Sequence, residues 1–600
     1  MTASVEPREQ DPATGSTRLR RAAARREHSR PRGSGQPRLL RLPGFLALIV
    51  AALGGFALDA ATPSLGWWPM GLVGAVLVAA ALWHQRAGLG AAIGAVAGAA
   101  FWMPQISWLT LYLGPVPWLG LSGVMIVWFA LFGLGAALAT RGIALLWHGR
   151  GWSAGLLAAA QSLAFAGAWV LREQVQSTWP YGGFAWGRLV HTQSDGPLLS
   201  LVSWLGFSGL SGLLALLCAV PVAWFLAPRS GSAGGGTARP ARRAILSRVL
   251  RPLGLVLVFL LLMAVPPAPV PQLGTLRVAA VQGDSKSGIF DDRENGDVFQ
   301  AHYDATVRLL DSLEATGERV DVIVWPENSA EFDLPRQFRR SLAVRDLAER
   351  AGAPIVVGSV LQDPDGSYTN STLVYDAGGD TGLRYDKRRP VPFAEYMPDR
   401  PFFHALAPDL VDLVQLEYRA GTRPAVLEVP GASGSFAAGI AICFDIVFDD
   451  HAVAMMDPPA DGSSAGEPAQ VIFAQTNNAD FGRTDESAQQ LAIARMRAVE
   501  TGRALVNIST VGTSAIVLPD GRETDRLATF TAASMVAEVP LVGGQTPALR
   551  FGAFIAAGWM ILGGLGIGLG LVVVVRRRRQ ERAEAAPFAN VAGPDSTRAE

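Results

Sequence analysis

Ala441-Ile442-Cys443-Phe444-Asp445 closes an apolar, β-forming run and places a thiol where that run gives way to a helix. The chain's other cysteine, Cys218, lies inside a long apolar stretch that reads as membrane. Cys443 therefore has no disulfide partner in its own domain, and such a thiol is either inert packing or reactive. Two upstream segments favour reactive. Val322-Ile323-Val324-Trp325-Pro326-Glu327-Asn328 is a buried strand ending in a carboxylate, and Tyr385-Asp386-Lys387-Arg388-Arg389-Pro390-Val391-Pro392-Phe393 carries a lysine into a proline-punctuated loop. Glu, Lys and Cys in this order suit a thiol nucleophile, its base and an electrostatic stabiliser.

Working outward, the 600-residue chain is too long for one ordinary domain, and half its residues are apolar, which is high for a soluble protein. Apolar stretches of membrane-spanning length, or close to it, are Leu39–Leu58, Trp67–Trp83, Leu89–Trp108, Trp118–Thr140, Gly155–Leu171, Leu198–Ala227, Leu253–Val270 and Phe551–Val575. About eight transmembrane helices are expected, seven in 38–270 and one in 551–575, with a globular domain over 273–549. Basic residues cluster before Arg41, at Arg86, at Arg141 and Arg150, at Arg229–Arg251 and at Arg576–Arg579. The loops between these clusters are arginine-poor, except for Arg172 and Arg188. The positive-inside rule puts both termini in the cytoplasm and the globular domain outside the cytoplasmic membrane. Residues 1–37 read as a disordered basic tail and 576–600 as a cytoplasmic tail, and an uncleaved signal-anchor fits the repeated spans better than a cleaved signal peptide. The basic tails act as topology determinants, with no nucleic-acid partner expected.

Gly90, Gly94 and Gly98 share one helix face and predict close helix packing. The outward loop Trp179-Pro180-Tyr181-Gly182-Gly183-Phe184-Ala185-Trp186 has two readings: an interfacial aromatic belt, or a floor for an amphiphilic substrate. In the globular domain, strands are predicted at Leu276–Val281, Val320–Trp325, Pro354–Val360, Ser371–Tyr375, Phe436–Cys443, Gln470–Gln475, Ala504–Ser509 and Ser514–Leu518. Helices are predicted at Asp297–Thr316, Arg339–Ala351 and Asp485–Glu500, which gives an α/β layered domain. Pro519-Asp520-Gly521 reads as a hairpin turn.

A thiol at its ordinary pKa is mostly protonated at neutral pH. Glu327 can take its proton, and Lys387 can stabilise the thiolate and the oxyanion formed on a carbonyl. A helix opening just after Cys443 would add its terminal N–H groups.

Trp325-Pro326-Glu327, Asp386-Lys387-Arg388, Ile442-Cys443-Phe444-Asp445, Asn477-Asn478-Ala479-Asp480-Phe481-Gly482 and Ala494–Glu500 together resemble the nitrilase (carbon–nitrogen hydrolase) superfamily. The resemblance covers roughly Leu276 to Val539 and implies an α-β-β-α sandwich with a Glu-Lys-Cys triad. Seven spans before such a domain, one after it, and the loop Lys387–Pro398 are similar to the bacterial apolipoprotein N-acyltransferases. That resemblance implies a membrane phospholipid as acyl donor, a thioester on Cys443, and the α-amine of a lipoprotein's S-diacylglyceryl-cysteine as acceptor. It implies catalytic roles for Glu327 (base), Lys387 (oxyanion and thiolate stabiliser) and Cys443 (nucleophile), and supporting roles for Glu395, Asp445 and Phe444. Trp179, Gly183, Trp186, Asn478 and Asp480 are candidates for substrate binding. No metal or other cofactor is expected, and the chain is expected to act as a monomer.

Departures from the family's pattern bear on substrate contacts. Asp445 stands where Glu is common, Phe444 where Tyr is frequent, Asp480 where an aromatic is usual, and Gln490 where His is often seen. Asp445 either orients the Cys443 loop or caps a following helix. Two rivals share the triad or the fold: a membrane-tethered amidohydrolase, and a non-catalytic envelope scaffold or receptor. One anchor would serve the hydrolase, and a scaffold does not require all three residues.

Overall fold

The computed structural model describes residues 39–63, 65–147, 153–226, 240–288, 291–292, 294–457 and 467–589. The expected disordered tail at 1–37 lies outside these residues, as do Arg150 and Arg229 and the last eleven positions. Apolar sequence becomes helix at Gly44–Ala60, Trp68–Leu82, Ala87–Gln105, Pro115–Trp147, Ala154–Gln176, Val202–Leu226, Pro240–Met263 and Pro547–Ala589. Each expected span thus has its helix among the described residues. Five are long and apolar enough to cross a membrane; Gly44–Ala60, Trp68–Leu82 and the apolar part Leu250–Met263 of helix Pro240–Met263 are shorter. The chain is a polytopic membrane protein with an α/β domain set between its last two apolar helices.

The glycine face packs as its spacing predicts. A Cβ on Gly90 would stand 2.6 Å from the Gly133 carbonyl oxygen, and one on Gly98 2.6 Å from Phe129 Cβ, so helix Ala87–Gln105 lies against Pro115–Trp147 at backbone distance. The C-terminal helix also returns to the bundle, with Gly563 against Gly167 and Gly570 against Leu138. It does not stop at Val575 but continues through Arg576–Arg579 to Ala589, because arginine and alanine are good helix formers and no glycine or proline intervenes before Pro587.

The α/β domain contains two six-stranded sheets. One has the order β12-β1-β2-β3-β4-β5 and the other β11-β10-β9-β8-β7-β6. In the first are β1 (Gln272–Gln282), β2 (Val322–Val324), β3 (Ile355–Gln362), β4 (Tyr368–Asp376), β5 (Gly379–Asp386) and β12 (Ala533–Val542). In the second are β6 (Val426–Gly431), β7 (Gly434–Ile442), β8 (Val471–Thr476), β9 (Ala504–Ser509), β10 (Ser514–Val517) and β11 (Glu523–Leu527). Strands β1–β2–β3 and β7–β8–β9 are parallel, and antiparallel strands flank them.

Alternation in β1 makes the layers. Leu276, Val278 and Ala280 pack with the second sheet, whereas Ala279 and Val281 pack with helices Asp297–Thr316 and Phe338–Ala351. Helices Asp449–Met456 and Glu486–Thr501 belong to the second sheet, giving α-β-β-α. Buried Val, Ile, Ala and Phe between the sheets form a core continuous with that of the membrane helices. The turn at Asp520 and Gly521 joins β10 to β11, with Gly521 at φ +86°.

Four strands escape the sequence pattern: β5, β6, β11 and β12. Strand β11 reads Glu-Thr-Asp-Arg-Leu and alternates between exposed and half-buried positions, so it carries no apolar signal. Arg172 and Arg188, the two exceptions to the charge alternation, are not solvent-exposed loop charges: Arg172 lies in helix Ala154–Gln176, and Arg188 in the loop after it. Both are buried, and Arg188 pairs with Asp449 at 2.9 Å and with Glu173 at 3.8 Å.

Candidate active site

The candidate residues stand at the carboxyl ends of strands, two of them parallel (β2 and β7) and one an antiparallel edge strand (β5). Glu327 follows β2, Lys387 follows β5 directly, and Cys443 follows β7 directly. The first two come from one sheet and the thiol from the other. Lys387 Nζ donates to Glu327 Oε1 at 2.9 Å and to Glu395 at 3.0 Å (Oε1) and 2.9 Å (Oε2). Asn370 Nδ2, from β4, joins the same carboxylates at 2.7 and 3.1 Å. The Val391 N–H donates to Glu395 at 2.7 Å, which anchors the proline-rich loop. Glu395, expected as a supporting carboxylate, is thus in direct contact with the ammonium.

Burial sets the protonation pattern. It raises the Glu327 pKa, together with the nearby Glu395 charge and against the pull of the Lys387 ammonium. Burial alone would lower the Lys387 pKa, but Glu327 and Glu395 outweigh it and hold it well above the ordinary value. Burial and the Glu327 carboxylate push the Cys443 thiol up, while Lys387 draws it back. These three groups feel one another's charge, and a proton moved from sulfur to carboxylate remains beside the same ammonium.

Cys443 has φ +49°, a left-handed conformation that favours glycine. The turn Cys443–Val447 is a short 3-10 segment rather than the start of an α-helix, which begins only at Asp449. The expected helix-terminal N–H groups are therefore not supplied directly after the thiol. The reason lies in Asp445, which is fully buried. Its carboxylate accepts from the Ile442 N–H at 3.1 Å, the Arg389 N–H at 2.8 Å and the Tyr385 hydroxyl at 2.7 Å. It folds the chain back on the last strand residue and ties the Cys443 turn to the Lys387 loop, so of its two readings the geometry favours loop orientation over capping a following helix.

Phe444 lies against Phe184 (6.2 Å between centroids), which stacks on Trp186 at 5.8 Å. Trp186 is buried and donates to Gln489 Oε1 at 2.8 Å, so it joins the membrane helices to the domain rather than forming an open floor. Trp179 is 62% exposed, edge-on to Trp128, at the outer end of the same loop. Gly183, at φ +82°, lies against the Ser177–Thr178 backbone and lines a cavity of about 310 Å³ with Arg388, Arg389, Tyr418, Phe444 and Phe448. That cavity sits one residue beyond both Lys387 and Cys443. Asp480 lies in the 3-10 turn Ala479–Phe481, near Gly288.

Asn478 is buried and donates to Glu486 Oε2 and Gln490 Oε1, both at 2.8 Å. Burial raises the Glu486 pKa to about 8, against the Asn478 hydrogen bond. Asn370, Tyr385 and Glu486 were not singled out in the sequence. For Glu486 the signal is weak: Glu486, Gln489 and Gln490 are buried polar residues in the first turns of a helix whose middle, Leu491–Ala494, is apolar. Among the described residues, no group of three His, Cys, Asp or Glu side chains could hold a metal ion.

Residues 54–220 match the apolipoprotein N-acyltransferase N-terminal domain, and residues 277–546 match the carbon-nitrogen hydrolase family. An apolipoprotein N-acyltransferase from Mycolicibacterium smegmatis is 33% identical over 549 residues, covering 86% of this chain and 84% of the relative. The chain belongs to the apolipoprotein N-acyltransferase family. Another member, from Ralstonia nicotianae, is 28% identical and covers 88% of this chain and 95% of its own length. Among solved structures, an amidase from Nesterenkonia sp. is 18% identical, covers 45% of this chain and 92% of the amidase, and has a TM-score of 0.32. The family explains the combination of a membrane bundle with a nitrilase-type sandwich in one chain.

Proposed function

We propose that this chain transfers a fatty acyl group from a membrane phospholipid to the α-amine of an S-diacylglyceryl-cysteine at a lipoprotein N-terminus. Glu327 takes the Cys443 proton, and the sulfur attacks the donor's ester carbonyl. The oxyanion is stabilised by the Lys387 ammonium. As the intermediate collapses, the C–O bond breaks and Glu327 returns the proton to the departing lysophospholipid oxygen. A thioester remains on Cys443. The acceptor amine then attacks it, Glu327 accepts the amine's proton, and the thiolate leaves as the amide forms.

The observation that carries this reading is the Lys387 ammonium held between Glu327 and Glu395 at the carboxyl end of the strands, with Cys443 turned in from the opposite sheet. Burial raises the Glu327 pKa and so makes this carboxylate a stronger base toward the thiol than an exposed glutamate. The Phe184–Phe444 contact supports this reading, because it joins the Cys443 turn to the loop of the membrane bundle, on the side from which a membrane lipid would approach. Arginine alternation supports a cytoplasmic-membrane location with the catalytic domain outside and both termini inside. Asp445 and Glu395 act by holding the Lys387 and Cys443 loops in register.

Intact mass spectrometry of the purified protein incubated with phospholipid tests the reading. An acyl adduct on Cys443 is expected, discharged by a diacylglyceryl-cysteine peptide as amide. Discharge to water alone would assign a hydrolase, and no adduct would remove the covalent route. Reporter fusions at Gly274 and Gln580 should report opposite sides of the membrane.

A further inference from the structure

Gln490 Nε2 lies 3.5 Å from Cys443 Sγ, within hydrogen-bonding distance for sulfur. The orientation of this amide is determined by its other end. Gln490 Oε1 accepts from Asn478 Nδ2, so rotating the amide by half a turn would face two N–H groups against each other. Asn478 is itself held one way round. Its Oδ1 accepts from the hydroxyls of Ser509 at 2.7 Å and Thr476 at 3.2 Å, and its second N–H goes to Glu486 Oε2. The Gly512 N–H donates to Ser509 Oγ at 2.9 Å, which commits the Ser509 proton to Asn478. Every donor in this buried chain therefore points toward the sulfur end or the Glu486 carboxyl.

We propose that Gln490 is a further catalytic residue, whose amide N–H stabilises negative charge on the Cys443 sulfur, with Asn478 and Glu486 as positioning residues that fix its orientation. The proposal rests on the reading of Cys443 as the acyl-carrying thiol. Sulfur bears that charge twice in the cycle: before it attacks the ester, and when the amine expels it. The Lys387 ammonium is already shared by two carboxylates, and the surroundings of Cys443 oppose ionisation of the thiol. A neutral donor on the other flank offsets that opposition without adding another charge to a buried site. A glutamine is suited to this because it cannot titrate.

The test reads the thiol directly in the full-length protein in detergent micelles. Iodoacetamide alkylation of Cys443 is followed by peptide mass spectrometry from neutral to alkaline pH. Gln490→Met keeps side-chain length and removes the donor. Gln490→Glu keeps size and shape, still accepts from Asn478, and sets an oxygen against the sulfur. The alkylation midpoint should rise by about one pH unit in Gln490→Met, as expected for losing one hydrogen bond to a charged group, and further in Gln490→Glu. Thioester formation at neutral pH should fall about ten-fold in Gln490→Met. If Gln490→Met disturbs the helix, the near-isosteric Gln490→Glu carries the test alone. A midpoint that stays put in both variants, or moves equally in both, overturns the proposal. Acyl transfer surviving in Cys443→Ala would instead remove the thioester reading, whatever the alkylation profile.

Discussion

Replacing Asp445 with asparagine changes one oxygen into an NH2 group at a site with no solvent access. The native carboxylate satisfies two backbone N–H groups, Ile442 and Arg389, and the Tyr385 hydroxyl. Tyr385 can turn its proton away and accept, but an N–H cannot. Whichever way the asparagine amide is placed, one backbone N–H faces another donor. Leaving one buried donor unpaired costs about 1–3 kcal/mol. Asp445 is fully buried, so the upper half of the range applies. The two N–H groups belong to different loops, one carrying Cys443 and the other following Lys387, so the loss falls on their mutual placement. At about 1.4 kcal/mol per decade this is a roughly thirty- to hundred-fold slower acyl transfer. Thioester formation and amide transfer are measured separately, by intact mass of the acyl-enzyme and by its discharge to a diacylglyceryl-cysteine peptide. Both half-reactions should slow, with a lower thermal midpoint. Asp445→Glu keeps the charge and both oxygens, so its loss is one of packing alone and should be smaller. Wild-type rates in both half-reactions for Asp445→Asn would refute the clamp.

Glu486→Gln should flatten the pH dependence of stability. The native pKa of about 8 lies above the ordinary 4.5, so the folded state holds this proton more tightly, and stability falls as pH rises from about 4.5 through about 8. The difference is on the order of 5 kcal/mol above pH 8, and an unchanged slope in Glu486→Gln would count against it. Arg497→Met removes a guanidinium that contacts Asp449 at 2.7 Å, pairs with Glu500, and covers Phe207 at 3.8 Å; a loss of about 3–5 kcal/mol is expected in thermal unfolding, and a midpoint within a degree of wild type is the contrary result. Gly167→Val would set its Cβ 2.5 Å from the Trp559 carbonyl oxygen and should displace the C-terminal helix, read as a loss of about 1–3 kcal/mol and faster proteolysis near Pro547; unaltered cleavage would refute the contact.

The parts of the candidate site legible in the sequence were those at the ends of apolar strands. Val322–Val324 and Phe436–Ile442 announce buried strands by composition, so Glu327 and Cys443 follow from where the apolar runs stop. Lys387 is legible from the prolines that follow it, whereas β5 is not, because it alternates polar residues at a sheet edge. The turn after Cys443 is illegible in the sequence for a different reason. Its conformation is decided by what Asp445 accepts from Arg389 and Tyr385, more than fifty residues earlier, and local propensity carries no trace of that. Arg172 and Arg188 read as outer-loop charges in the sequence because their carboxylate partners come partly from the other domain.

The junction between the domains changes how the membrane bundle should be regarded. Helix Glu486–Thr501 presents Gln490 to Cys443 and, one residue earlier, Gln489 to the bundle. Gln489 accepts from Trp186 at 2.8 Å and Trp108 at 3.3 Å and donates to the Gln105 carbonyl at 3.1 Å. Two turns on, Arg497 bridges Asp449 and Glu500, and the Phe207 N–H donates to Glu500 at 3.3 Å. Arg188 reaches the same Asp449 from the loop beside the bundle, and burial of the Asp449 carboxyl is outweighed by the two guanidiniums, which hold its pKa far below the ordinary value. A helix held at both ends by membrane segments cannot slide by one residue without exchanging Gln489 for Gln490 at the sulfur. The register of the group beside the thiol is therefore set by contacts with the bundle, which makes the bundle part of the site's scaffold as well as its anchor.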